Sequence, residues 1–119
     1  MSTIIVNATH GPEDPERAPL AFIVGNVAAT ADQDAIVLLT IEGAWLGVRG
    51  RADDVAHPGM PALRDVMAQF VGAGGRIWAC GACTKPRAIT QADLVKGATI
   101  VTAAQVVELL ASGAASLTF

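Results

Sequence analysis

The chain has 119 residues, 52% of them apolar and 16% charged, with a formal net charge of −3. That length suits one domain with a real core, since domains centre on about 100–150 residues, and the composition excludes general disorder, which needs low hydrophobicity and high charge. An acidic balance with 8 Lys and Arg residues excludes a broad basic nucleic-acid footprint, and no apolar stretch reaches the roughly 20 residues of a membrane span.

Thr3–Ala8 is a short apolar run that reads as a buried strand. His10–Arg17 is a loop that opens a helix, with Asp14 as its N-cap and Pro15 in the first helical position. This helix is expected to run to about Ala31. Ala35–Ile41 is apolar without alternation, the pattern of a strand covered on both faces. Ala44–Val48 reads as a short helical turn and Gly50–Met60 as a loop. Pro61 then starts a second helix, in which Leu63, Val66, Met67, Phe70 and Val71 form one apolar stripe. Gly72, Gly74 and Gly75 end it. Arg76–Cys80 is a third strand and Gly81–Arg87 a loop. Thr90–Asp93 is a short capped helix, and Ala98–Val101 a fourth strand. Thr102 and Gln105 fit a capping box for a helix that runs to Ser112, where Gly113 stops it. Ala115–Phe119 is a fifth strand. This alternation predicts an α/β domain with a mostly parallel five-stranded sheet and helices on both faces. It leaves the strand order open.

In open parallel sheets, ligands bind outside the C-terminal ends of the strands. Those ends carry His10, Glu42 and the run Cys80-Gly-Ala-Cys83-Thr-Lys85, so a base, an acid and a nucleophile fall on one rim. Cys80 and Cys83 are the candidate catalytic residues. Lys85, Arg87 and the start of a helix would favour a thiolate there. The same spacing is compatible with a redox dithiol, and Cys80 also reads as a small buried hydrophobe. Cys80 is the expected reactive thiol, because it ends a strand and Gly81 lets the backbone turn. Supporting roles fall to His10, as a substrate-orienting or proton-sharing group, and to Glu42, Trp45, Lys85 and Arg87. His10 also reads as a solvated loop residue, Glu42 as a turn carboxylate and Trp45 as core. His57 is expected in solvent.

Two cysteines and two histidines without ligand spacing make no zinc motif. G-x-G-x-x-G, the phosphate-binding loop motif and G-x-S-x-G are all missing, so no metal and no organic cofactor are expected. The first residues lack a basic segment and a long apolar run, so no signal peptide is expected. The expected location is the reducing cytoplasm.

Four segments together are similar to one family. They are Ala8–Ala18, Thr40–Ala44, Trp78–Ile89 with its Cys-Gly-Ala-Cys turn, and the tail from Gly97 to Phe119. The third is the most specific. The chain resembles the DsrE/DsrF-like family of TusD- and YchN-like small sulfur-relay proteins, and the likeness spans nearly its whole length. The resemblance implies a three-layer α/β/α, flavodoxin-like subunit assembled as a homotrimer or homohexamer. It also implies a persulfide-carrying cysteine at Cys80, served by sulfur-donor and acceptor proteins. Relatives commonly carry Arg-Gly in the turn where this chain has Arg87-Ala88. The functions to be separated are a sulfur carrier or sulfurtransferase, a thiol redox protein using Cys80 and Cys83, and a non-catalytic oligomeric module that binds a small ligand.

Overall fold

Strand β1, Thr3–Ala8, has partners on both sides: β2, Asp34–Leu39, and β5, Ala115–Thr118. A computed structural model describes residues 2–119. In it β3, Arg76–Cys80, pairs with β2 and with β4, Ala98–Val101. All four pairings are parallel, and the order across the sheet is β4-β3-β2-β1-β5. The fold is therefore the expected three-layer, flavodoxin-like arrangement, with an order of its own. Strand β2 lies in the middle with Ala35–Leu39 buried throughout, which is why its sequence is apolar without alternation.

The order decides where the helices go. From β1 to β4 each crossover steps the same way, so right-handed connections put α1, Arg17–Thr30, and α2, Leu63–Gly72, on one face. The last crossover steps back past β1 and carries α4, Ala103–Ala111, to the other face. The core is split accordingly. The larger cluster joins Val6, Val37, Leu39 and Ile77 of the sheet to Phe22 of α1 and to Leu63, Val66, Met67 and Phe70 of α2. Phe22 and Phe70 meet edge to face with centroids 5.8 Å apart, a geometry that adds to their burial. The smaller cluster is Ile5, Ile36, Leu38 and Val101, on which Val106 and Leu109 of α4 rest. So both faces are covered, but unequally.

Helix α1 starts at Arg17 with Glu16 in the N-cap position, two residues later than expected; Asp14 lies in the turn before it, where its Oδ1 accepts from the amides of Arg17 at 3.0 Å and Glu16 at 3.3 Å. The capping box at Thr102 and Gln105 forms. Helix α2 begins two residues after Pro61. The main departure follows β2. The strand was expected to reach Ile41, but it ends at Leu39, and a 3-10 segment occupies Ile41–Gly47. Ile41 lies in the left-handed region at φ 53°, which takes it out of the ladder. The Gly81–Arg87 loop is also more regular than expected, with a short helix α3, Gly81–Thr84, and a 3-10 turn, Lys85–Arg87. Among the described residues no helix is long and apolar enough to cross a membrane.

Candidate thiol site at the C-terminal rim of the sheet

The loops after β1 and β2 lock together at the rim. A Cβ on Gly11 would collide with the Glu42 carbonyl oxygen, and one on Gly43 with the Ala8 carbonyl oxygen. Only glycine lets these two backbones approach so closely. The amide of Thr40 donates to the Ala8 carbonyl at 3.0 Å, and that of Gly43 to the Thr40 carbonyl at 2.8 Å. Glu42 is thereby held at the edge of the sheet.

Cys80 is the last residue of β3, in register with Val101 of β4, and leads directly into α3. Strand alternation puts it on the same face as Trp78, and it packs against the smaller cluster with Ile5, Ile36 and Leu38. Cys83, a turn later, packs against the larger cluster on the other face. Both thiols are free and half-buried. The Cys-x-x-Cys spacing thus straddles the sheet edge, with one sulfur on each side.

Arg87 ties this turn to the β2 loop. Its guanidinium donates to Glu42 Oε1 at 2.9 Å and to the Cys83 carbonyl at 3.1 Å. Its donors thus fix the backbone of the turn and the Glu42 carboxylate. Lys85 is exposed and has no ion-pair partner among the described residues. Ala88, which follows Arg87, sits in the left-handed region at φ 56° and ψ 31°. That conformation is the reason a glycine suits this position.

His10 belongs to a different cluster. Its Nδ1 lies 3.2 Å from Glu13 Oε2 and its Nε2 3.3 Å from Arg17 Nη1. Strands β1 and β3 have β2 between them, which sets their ends about 10 Å apart. His10 accordingly does not share a proton with Cys80 in this geometry. Trp45 is half-buried on the larger cluster, with the Arg51 guanidinium 4.4 Å from its ring centre. His57 is bonded to the Pro58 carbonyl at 3.0 Å in its own loop.

A polar pair at the C-terminal ends of β1 and β2 escaped the sequence reading. Thr40 Oγ donates to Asn7 Oδ1 at 2.8 Å, and alternation places Asn7 on the face that holds Ile5. The signal was present as one asparagine in the otherwise apolar run of β1. Nearby, Thr9 Oγ donates to the Phe119 carbonyl at 2.6 Å. Among the described residues no group of three or more His, Cys, Asp or Glu side chains could hold a metal ion.

A five-stranded, all-parallel α/β/α domain with an unpaired cysteine at the end of its third strand defines a class of small thiol-bearing α/β domain. Within that class the assignment is direct. The chain belongs to the DsrE/DsrF-like family, whose model matches residues 2–119. It is 30% identical over 93 residues to an uncharacterized protein of Methanocaldococcus jannaschii, covering 78% of this chain and 34% of that protein. The chain thus spans about a third of that relative. It is 26% identical over 102 residues to an uncharacterized protein of Methanopyrus kandleri, covering 86% and 81%. The crystal structure of the Escherichia coli YchN protein superimposes over the whole of both chains with a TM-score of 0.81 at 20% identity. A protein of unknown function from Methanobacterium thermoautotrophicum does so with 0.75 at 18%. These two likenesses concern the fold.

Proposed function

We propose that this protein is a sulfur carrier of the sulfurtransferase type, in which Cys80 holds sulfur as a persulfide. In the loading step the Cys80 thiolate attacks the terminal sulfur of a donor persulfide. A sulfur–sulfur bond forms at Cys80, the donor's own breaks, and the donor leaves as a thiolate. In the unloading step an acceptor thiolate attacks the terminal sulfur and Cys80 leaves as a thiolate. Electrons balance in each step, so no external oxidant or cofactor enters. The reading has the protein work in a reducing, cytoplasmic setting as a homotrimer or homohexamer that meets donor and acceptor proteins.

The observation that carries this reading is the division of the two thiols. A carrier needs one sulfur at the rim, and Cys80 occupies the strand end where such sheets bind ligands. A redox dithiol needs two sulfurs within bonding reach on one side, whereas Cys80 and Cys83 pack against opposite clusters. Glu42 and Arg87 hold the turn in place.

The test is intact-mass measurement after incubation with a small-molecule persulfide donor, on the natural chain and two single variants. Gain of one sulfur atom by the natural chain and by Cys83→Ser, with none by Cys80→Ser, is expected. Loss of two hydrogens in the natural chain would establish the redox reading instead, and gain on Cys80→Ser would move the site to Cys83.

A further inference from the structure

Well away from the thiol lies an open groove of about 500 Å³ on the face that carries α1 and α2. Its existence follows from the topology. The first two crossovers of that face are covered by the 14-residue α1 and the 10-residue α2. The third, from β3 to β4, contains only the four-residue α3 and two 3-10 turns of three residues. The space beside α2, where a third crossover helix would rest on β3 and β4, is left open.

The walls are fixed. On one side the segment around Val48 pairs antiparallel with Leu94. The Val95 amide donates to the Gly47 carbonyl at 2.8 Å, and that of Arg49 to the Asp93 carbonyl at 2.9 Å. On the other side α2 contributes Met67, Ala68 and Val71, while Ile77 of β3 and Val95 complete an apolar lining. The rim carries Arg64, Lys96 and Asp53. Arg64 approaches Asp65 only at 3.9 Å, with both side chains about two-thirds exposed, and such surface pairs hold little energy. Two cations against one carboxylate leave the rim positive on a protein of net negative charge.

We propose that this groove binds a small amphipathic anion: an apolar body against Met67, Val71 and Ile77, and a carboxylate or similar monoanionic head between Arg64 and Lys96. The volume falls within the roughly 300–1,000 Å³ of small-molecule sites, the lining supplies the apolar contact, and the rim supplies the charge. The site is independent of the thiol. Ile77 and Cys80 point to opposite faces of β3 and are three residues, or about 10 Å, apart.

The experiment is calorimetric titration with decanoate, and with decyltrimethylammonium as the same chain bearing the opposite charge. Saturable one-to-one binding of decanoate and none of the cation is expected. Reversing the rim with Arg64→Glu and Lys96→Glu should weaken decanoate by at least about tenfold and admit the cation. Ala68→Trp, a change at an exposed α2 position that fills the groove, should abolish binding with an unaltered urea midpoint. Failure of decanoate to saturate, equal binding of both probes, or unchanged binding by either variant overturns the proposal. Covering of the groove by a second copy would show as failure to saturate. Persulfide loading of Cys80 in the Ala68→Trp protein reports on the thiol separately.

Discussion

Ala88 occupies a backbone region that costs an L-residue about 1–2 kcal/mol and glycine nothing. Glycine gives back about 0.5–1 kcal/mol through its more flexible unfolded chain. Ala88→Gly should therefore stabilise the protein by about 0.5–1 kcal/mol, read as a higher urea midpoint at unchanged slope; an unchanged or lower midpoint would contradict the strain. Both cysteines and the chemistry-bearing ends of the strands were legible in the sequence, because strand ends and glycine turns are local signals. The Glu42–Arg87 pair was not. It joins residues 45 apart in the chain, and the pairing of β2 with β3 has to be known before the two can be placed together. Which of its two readings suits His10 was not legible for the same reason: sharing a rim says nothing of which strand lies between.

At the level of elements, Asp14 gives α1 a pH-dependent start. Backbone hydrogen bonds from Arg17 and Glu16 hold its carboxyl below the usual carboxylate value, with the charges of His10 and Arg17 acting the same way and burial opposing. The contribution of this carboxylate is full above the unfolded value of about 3.9 and is lost as pH falls through the lower folded value. In Asp14→Asn the acceptor stays neutral at every pH. The natural chain should therefore lose more stability than Asp14→Asn between about pH 5 and 2, measured by urea unfolding. Parallel acid limbs would show that Asp14 is not the source. The boundaries of α1, α2 and α4 were legible to within two residues from caps and apolar stripes. The early end of β2 was not, since nothing in Thr40-Ile-Glu announces a β-branched residue at positive φ, where glycine is the usual occupant.

At the scale of the whole molecule, the apolar surface is unevenly distributed. Helix α4 has no buried residue, every residue of β5 is exposed, and Val107, Leu110 and Leu117 are 61%, 42% and 48% exposed. Exposed apolar patches mark contact surfaces. Sedimentation at micromolar concentration should give a trimer or hexamer, and Val107→Glu with Leu110→Glu should shift it toward monomer; a monomeric natural chain would end that expectation. The α/β class was legible from alternation alone. The strand order was not, because periodicity does not say which crossover turns back. That turn has a consequence for how the molecule opens. Thr9 and Phe119 bond across 110 positions, so β5 closes the longest loop in the sheet and gains the thinnest cover. Strands β1 to β4 with α1 and α2 share the larger core cluster, to which α4 contributes no residue. Amide hydrogen exchange should divide along this seam, with α4 and β5 exchanging through a low-energy partial unfolding and the middle strands only through global unfolding. If copies pack there, raising protein concentration should slow exchange in the outer unit alone.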